Sequence, residues 1–146
     1  MVQRPERNPR FTTCFDDLAA ALRAWAKGLF STEAAVELLI GHRSWLCRED
    51  FLEIAVEFGC GIGDGAVMAA VDWEAAVAAL EAGGLPCSGG EGRMLRLAAG
   101  MAGGVAVDLG SALLGLDERN ITLIAGAVLQ AAGHRELRVV AGGERG

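Results

Sequence analysis

The chain has 146 residues, a length typical of one domain, and 52% of them are apolar, which is enough to close a single hydrophobic core. Its net charge of −6 removes the phosphate attraction that supplies most of the affinity of proteins for DNA, so the composition argues against a nucleic-acid partner. The mean hydropathy is +0.33, but the longest uncharged runs, 97–107 and 121–133, are too short and too rich in glycine to span a membrane. We therefore predict a soluble, cytoplasmic protein without a membrane partner.

The N-terminal segment, residues 1–10, contains two prolines and three arginines without an apolar period, which is typical of a flexible basic arm. No unbroken apolar run follows, so no signal peptide is predicted. A first helix is predicted to begin at Thr12 or Thr13 and to end at Gly28, because apolar residues recur at steps of three and four. We expect this whole stripe to be buried: Phe15, Leu18, Leu22, Trp25 and Leu29.

The middle of the chain fits two structures. Apolar residues in Phe51–Phe58 match a helical period, but residues 54–58 also alternate as a strand would. We favour a helix to about Glu57. An Asp-Gly pair in the glycine-rich run 59–65 leaves open a small β-hairpin between residues 54 and 71. That run lacks GxGxxG spacing and lies among acidic residues, so it predicts a turn rather than a phosphate-binding loop.

The remaining helices are marked by capping residues and apolar stripes. The predicted N-caps are Ser31, Asp72 and Ser88. Glycines inside helices cost up to about 1 kcal/mol relative to alanine, so they predict close helix crossings. These glycines are Gly92, Gly100 and Gly126. The predicted packing face of the last helix is Ile121, Ile124, Ala125, Val128 and Ala132.

These elements predict a mainly α-helical fold. We expect a compact bundle of five to six short helices, with the small hairpin between residues 54 and 71 left open. The bundle would form one domain, residues 11–133, followed by a flexible tail, residues 134–146.

Acidic residues are concentrated in the middle of the chain. Residues 49–92 contain nine of them and no lysine or arginine. Such a block attracts a basic partner, although charges of this kind also serve simply to keep an apolar-rich chain in solution. The candidate partner surface is Glu49, Glu53, Glu57, Asp64 and Glu81.

One segment resembles an ATPase motif. Ser88-Gly89-Gly90-Glu91, with Leu97-Ala98 and the later Gly115-Leu116-Asp117, resembles the signature and D-loop region of ATP-binding cassette proteins. The resemblance implies nucleotide binding, but that function also requires a GxxxxGK[ST] loop, and Lys27, the one lysine of the chain, lies in no such pattern. We therefore interpret Ser88 as a helix cap and predict no cofactor.

Residues 109–132 have the outline of a helix-turn-helix motif, with Gly115 in the turn. The polar residues near the start of the second helix are Arg119, Asn120 and Thr122. This outline supports the first alternative function, a DNA-associated regulator.

A second alternative is a thiol or metal-dependent enzyme. His42, Cys47 and Asp50 are close in sequence and supply a thiol, an imidazole and an acid. No turn that could present a nucleophile surrounds Cys47, and no pair of cysteines or histidines has structural-zinc spacing. The free thiols are expected to be buried. They are Cys14, Cys47, Cys60 and Cys87.

The function predicted first is non-catalytic. We expect a protein-interaction or accessory domain that presents an acidic or apolar surface to a partner protein with a basic or apolar surface. Self-association into a homo-oligomer is left open. No catalytic, cofactor-binding or metal-binding residue is assigned.

Overall fold

A computed structural model describes residues 14–61, 63, 65–134 and 136–137. Within them lie seven α-helices and one antiparallel hairpin, which confirms the predicted mainly α-helical fold. The elements are α1 (Phe15–Ala26), α2 (Phe30–His42), α3 (Glu49–Ala55), β1 (Val56–Cys60), β2 (Val67–Val71), α4 (Trp73–Glu81), α5 (Gly89–Ala102), α6 (Leu109–Leu113) and α7 (Glu118–Ala131). A 3₁₀ turn, Ser44–Cys47, lies between α2 and α3. The predicted arm, Asp64 and most of the predicted tail lie outside the described residues.

The central element is α2, which packs against α1, α5 and α7. A helix that is apolar around most of its circumference must be covered on several sides. Its buried residues are accordingly distributed around the helix: Ala34, Ala35, Val36, Leu38, Leu39 and His42. Beyond its C-terminus the fully buried Trp45 packs its ring 5.5 Å from that of Phe51 and donates a hydrogen bond from Nε1 to the Glu91 carbonyl oxygen at 2.9 Å.

Side-chain caps start the later helices as the sequence predicts. Asp72 accepts a hydrogen bond from the Ala75 backbone N–H at 3.0 Å. Ser88 and Glu91 form a capping box, in which each side chain accepts from the other residue's backbone N–H. These local hydrogen bonds satisfy donors that the first helical turn would otherwise leave unpaired.

The predicted start of the second helix is wrong, because α2 begins at Phe30, so Ser31 lies inside it and does not cap it. The first helix begins at Phe15 with Cys14 at its N-cap, and the predicted start at Thr12 or Thr13 lies outside the described residues. At Gly28 the backbone turns with φ +93°, a conformation that suits glycine, and its N–H donates to the Glu33 carboxylate at 3.4 Å. The turn at Gly28 therefore starts α2 earlier than the serine suggests.

The hairpin is present, so the favoured prediction of a helix to Glu57 is wrong. The helix α3 ends at Ala55 and β1 follows directly, with Val56 paired to Val71 in the antiparallel register. The Asp72 N–H donates to the Ala55 carbonyl at 2.7 Å and closes the base of the hairpin. β2 packs against α1 with Ala69 buried, so tertiary burial decides between the two patterns that this segment supports.

The apolar stripe of α1 is only partly buried. Leu18 and Leu22 lie in the core, as predicted, but Trp25 is 58% exposed and Leu29 is also exposed, which corrects the prediction for both. Trp25 lies in the last turn, where the core contact is made by the fully buried Ala26. Leu29 lies beyond the end of α1. A periodic pattern gives the direction of a side chain but not where its packing partners end.

The prediction of buried thiols is wrong for all four cysteines, which are exposed. Each one lies at or next to the end of an element, where the chain reaches the surface. Cys14 precedes α1, Cys47 ends the 3₁₀ turn, Cys60 ends β1 and Cys87 precedes the cap of α5.

The helix glycines differ in their surroundings. A Cβ on Gly100 would lie 2.7 Å from Cγ1 of Val107, and one on Gly92 would be 3.5 Å from the Cys87 sulfur. Among the described residues, no atom lies within 4 Å of a Cβ built on Gly126, so none of the described helices makes the close crossing predicted there. Gly41 is the residue that admits another helix, because its Cβ would lie 2.8 Å from Cδ2 of Leu123 on α7.

Two alanine substitutions in α1 test the corrected burial. Leu22, 1% exposed, should lose about 2–5 kcal/mol of unfolding free energy as Leu22→Ala, whereas Trp25→Ala should lose about 1 kcal/mol or less. Urea denaturation of both variants measures the difference. An equal loss in the two would show that Trp25 is covered in solution.

A second pair tests the glycines. Gly126→Ala should raise the unfolding free energy by up to about 1 kcal/mol, because alanine favours the helix and the added methyl group meets nothing. Gly100→Ala should lower it, because Val107 is β-branched and cannot rotate its methyl group away freely. Thermal melts followed by circular dichroism report both signs, and a stabilised Gly100→Ala would contradict the packing around Val107.

Candidate interaction surface

The predicted acidic surface is distributed over several elements. Glu49 and Glu53 lie one turn apart on α3, Glu57 lies on β1, and Glu81 is the last residue of α4. All four are exposed. The fifth predicted member, Asp64, is outside the described residues, so the surface is described only in part.

Several acids of the block are engaged within the fold. The Arg48 guanidinium donates to both carboxylate oxygens of Asp50, at 2.6 and 3.0 Å, and these hydrogen bonds lower the pKa of Asp50. Arg96 donates to Glu81 at 2.9 Å. Arg48 directly precedes residues 49–92 and Arg96 follows them. Counting the acids in this stretch alone therefore overstates the negative potential at the surface.

The three residues of the predicted thiol or metal site are not joined. Asp50 is held by Arg48, and Cys47 is exposed, whereas His42 is buried and its Nδ1 has no hydrogen-bond partner. Burial also raises the pKa of the Cys87 thiol, which favours its neutral form. Among the described residues, no group of three or more histidine, cysteine, aspartate or glutamate side chains could hold a metal ion.

The helix-turn-helix outline corresponds to α6 and α7, but its polar residues bond within the protein. Arg119 donates to the Gly41 carbonyl oxygen at 2.8 Å, and the Thr122 hydroxyl donates to the Glu118 carbonyl oxygen at 2.8 Å. The Asn120 N–H donates to the capping Asp117 at 2.8 Å. The Arg119 contact joins α7 to the C-terminal end of α2, and the other two hydrogen bonds are local to the start of α7.

The side of α7 that points away from α2 is apolar and exposed. Ile121 is 40% exposed and Val128 is 53% exposed, whereas Ile124 and Ala127 on the other side are buried. This corrects the predicted packing face, which placed Ile121 and Val128 together with Ile124 and did not include Ala127. We call the exposed side the outer face of α7. It consists of Ile121, Ala125, Val128 and Ala132, the last of which is the C-cap.

The stretch of sequence that contains the outer face is also uncharged. Residues 120–133 contain no Asp, Glu, Lys or Arg. A cleft of about 270 Å³, lined by Gly126, Gln130, His134 and Leu137, lies on a different side of the helix. The uncharged run was the signal in the sequence, because a helix with only one buried side has no physical reason to exclude charge from the other side.

Other exposed large apolar side chains of the described residues lie at four further places. They are Trp25, Leu29 and Phe30 at the turn between α1 and α2, Ile54, Phe58 and Val67 on α3 and the hairpin, Leu109 and Leu114 at the two ends of α6, and Leu137 after α7. Single exposed apolar residues are normal on protein surfaces. Each of these places is confined to a turn, a helix end or one short element, whereas the outer face follows one side of α7 from Ile121 to Ala132.

The chain matches no protein-family model, and comparisons with curated proteins and with solved structures returned no match. None of the helices in the described ranges is long and apolar enough to cross a bilayer. The proposed function therefore depends on the arrangement of the residues alone.

His42 is the one buried ionisable side chain that lacks a full set of partners in the described part of the chain. It is 8% exposed, and burial lowers its pKa. Arg119 lowers the pKa further, whereas Glu91 and Asp117 raise it. The neutral imidazole is therefore the form that the fold accommodates.

This shift makes stability depend on pH. The unfolded chain binds a proton at His42 near its ordinary pKa of about 6.5, and the folded chain binds it more weakly, so the unfolding free energy should fall as pH drops below that value. Urea denaturation between neutral and mildly acidic pH should show this slope in the wild type and in His134→Gln, which retains His42. His42→Gln should flatten it, and an unchanged slope in that variant would contradict the assignment.

Proposed function

We propose that this chain is a non-catalytic protein-interaction domain and that it binds its partner through the outer face of α7. The observation that carries the proposal is the exposure of Ile121 and Val128 on a helix whose outer side has no charge. Apolar surface exposed to water costs free energy, and a contiguous exposed apolar face is typical of a surface that a partner covers.

The outer face is better suited than the acidic residues to hold a partner. Glu49, Glu53 and Glu57 are exposed, and exposed charges contribute little binding free energy because water and salt screen them. Their expected effect is on the rate of association with a basic partner. Apolar burial contributes to the affinity itself, roughly 25 cal/mol for each Å² removed from water.

The same surface argues against the DNA-associated alternative. A recognition helix reads bases through hydrogen-bonding side chains on its exposed side. On α7 the exposed side carries aliphatic groups, and Arg119, which could contact DNA, donates instead to the Gly41 carbonyl oxygen. The apolar surface therefore favours a protein partner.

The test compares the wild type with two surface variants, each immobilised and incubated with extract from the native cell. Ile121→Lys with Val128→Lys places charge on the outer face, and Glu49→Lys, Glu53→Lys and Glu57→Lys reverse the acidic surface. Both variants change exposed positions, so circular dichroism should match that of the wild type. The first variant should lose the proteins that the wild type retains, and the second should keep them at low and high salt.

Three results would contradict the proposal. Loss of the retained proteins in the glutamate variant, with strong salt dependence, would assign binding to the acidic surface. Loss after DNA digestion would support the regulator. Identical retention by the wild type and by the Ile121→Lys, Val128→Lys variant would show that the outer face binds nothing.

A further inference from the structure

The position of α7 leaves its outer face accessible. The helix packs mainly against α2 and has only a small contact with α5. On the side of α2, Leu123 lies against Gly41, and after the helix the Cβ position of Gly133 lies 3.4 Å from the Phe30 ring. The outer face is on the opposite side, where Ile121, Val128 and Ala132 are exposed and Ala125 is half-buried.

Charge restricts which partners can approach. The chain has a net charge of −6, so two copies repel each other over most of their surfaces. The outer face lies within residues 120–133, which contain no Asp, Glu, Lys or Arg. The outer face itself therefore brings no like charges together when two copies meet there.

The spacing of the outer face is symmetric. Its residues follow each other at steps of four, three and four, so the pattern reads the same in both chain directions. In an antiparallel pair of α7 helices, Ile121 meets the partner's Ala132 and Val128 meets the partner's Ala125. Each large side chain then lies opposite a small one. A two-fold interface requires a surface that is complementary to itself in this way.

The helix ends favour the antiparallel arrangement. Asp117 and Glu118 lie at the start of α7, and a parallel pair would place them against their own copies. In an antiparallel pair these residues do not face their own copies, and the two helix dipoles oppose each other favourably.

We propose that the partner of the outer face is a second copy of this chain, bound by antiparallel pairing of the two α7 helices about an axis between Ala125 and Val128. The inference rests on the proposed function, because it uses the same face. A typical stable interface buries about 800 Å² on each side with 20–30 residues, and one helix supplies fewer. The dimer should therefore be weak and concentration-dependent.

Sedimentation velocity from micromolar to submillimolar concentration tests self-association. The wild type should shift from monomer towards dimer as concentration rises. Val128→Lys should remain a monomer, because the two lysines would lie near the axis and repel each other. The matched control is Val67→Lys, the same change at an exposed position on β2, which should dimerise like the wild type.

Cross-linking tests the orientation. In a background in which the four exposed cysteines are serines, Ala125→Cys should be joined to its own copy by a short bis-maleimide, because three residues of helical offset separate the two by about 4.5 Å along the axis. Ala78→Cys, an exposed position on α4, is the control and should stay monomeric. Linking of Ala78→Cys alone would overturn the assigned interface.

The outcomes separate this inference from the proposed function. A wild type that is monomeric at every concentration overturns the self-partner. If Val128→Lys still removes a retained protein from the extract, the interaction function stands with a different partner. If Val67→Lys dissociates the dimer and Val128→Lys does not, the interface is on the hairpin and the inference fails. If Val128→Lys changes neither measurement, both proposals fail.

Discussion

The structure depends on the burial of α2 on most of its sides. Because this helix has apolar residues around its circumference, it needs α1, α5 and α7 together to cover it. Gly41 brings α7 close, and the Arg119 guanidinium on the Gly41 carbonyl oxygen fixes its rotation. Once α7 is placed in this way, only one of its two apolar sides can face α2. The exposure of Ile121 and Val128 is thus a consequence of how the centre of the fold is covered.

The parts of the fold that local chemistry determines could be predicted from the sequence. Asp72 and Ser88 cap helices because their side chains need only backbone N–H groups three residues away. The parts that depend on distant residues could not. Val56 fits a helix and a strand equally well, and its partner Val71 decides between them. Trp25 has the period of a core residue, but nothing in the pattern shows that the packing at the end of α1 is made by Ala26.

The candidate sites show the same division. The sequence shows an excess of acids between residues 49 and 92. It does not show that Arg48, just before this block, pairs with Asp50, or that Arg96, after it, pairs with Glu81. Closeness in sequence suggested that His42 and Cys47 could share a site. Cys47 is the last residue of the 3₁₀ turn that follows His42. Within these few residues the chain passes from the core to the surface, so His42 is buried and Cys47 is exposed.

The residues of the outer face of α7 form part of an apolar stripe in the sequence, and the periodicity alone assigns that stripe to the core. A helix at the edge of a bundle needs apolar residues on one side only, and charged residues on its other side would improve solubility at little cost to stability. Of all the residues in the chain, 22% are charged, so an uncharged stretch as long as 120–133 is unusual for it. The buried side of α7 accounts for Ile124 and Ala127. Packing within the chain does not account for Ile121 and Val128, whereas contact with a partner would, because their exposed methyl groups would then leave water.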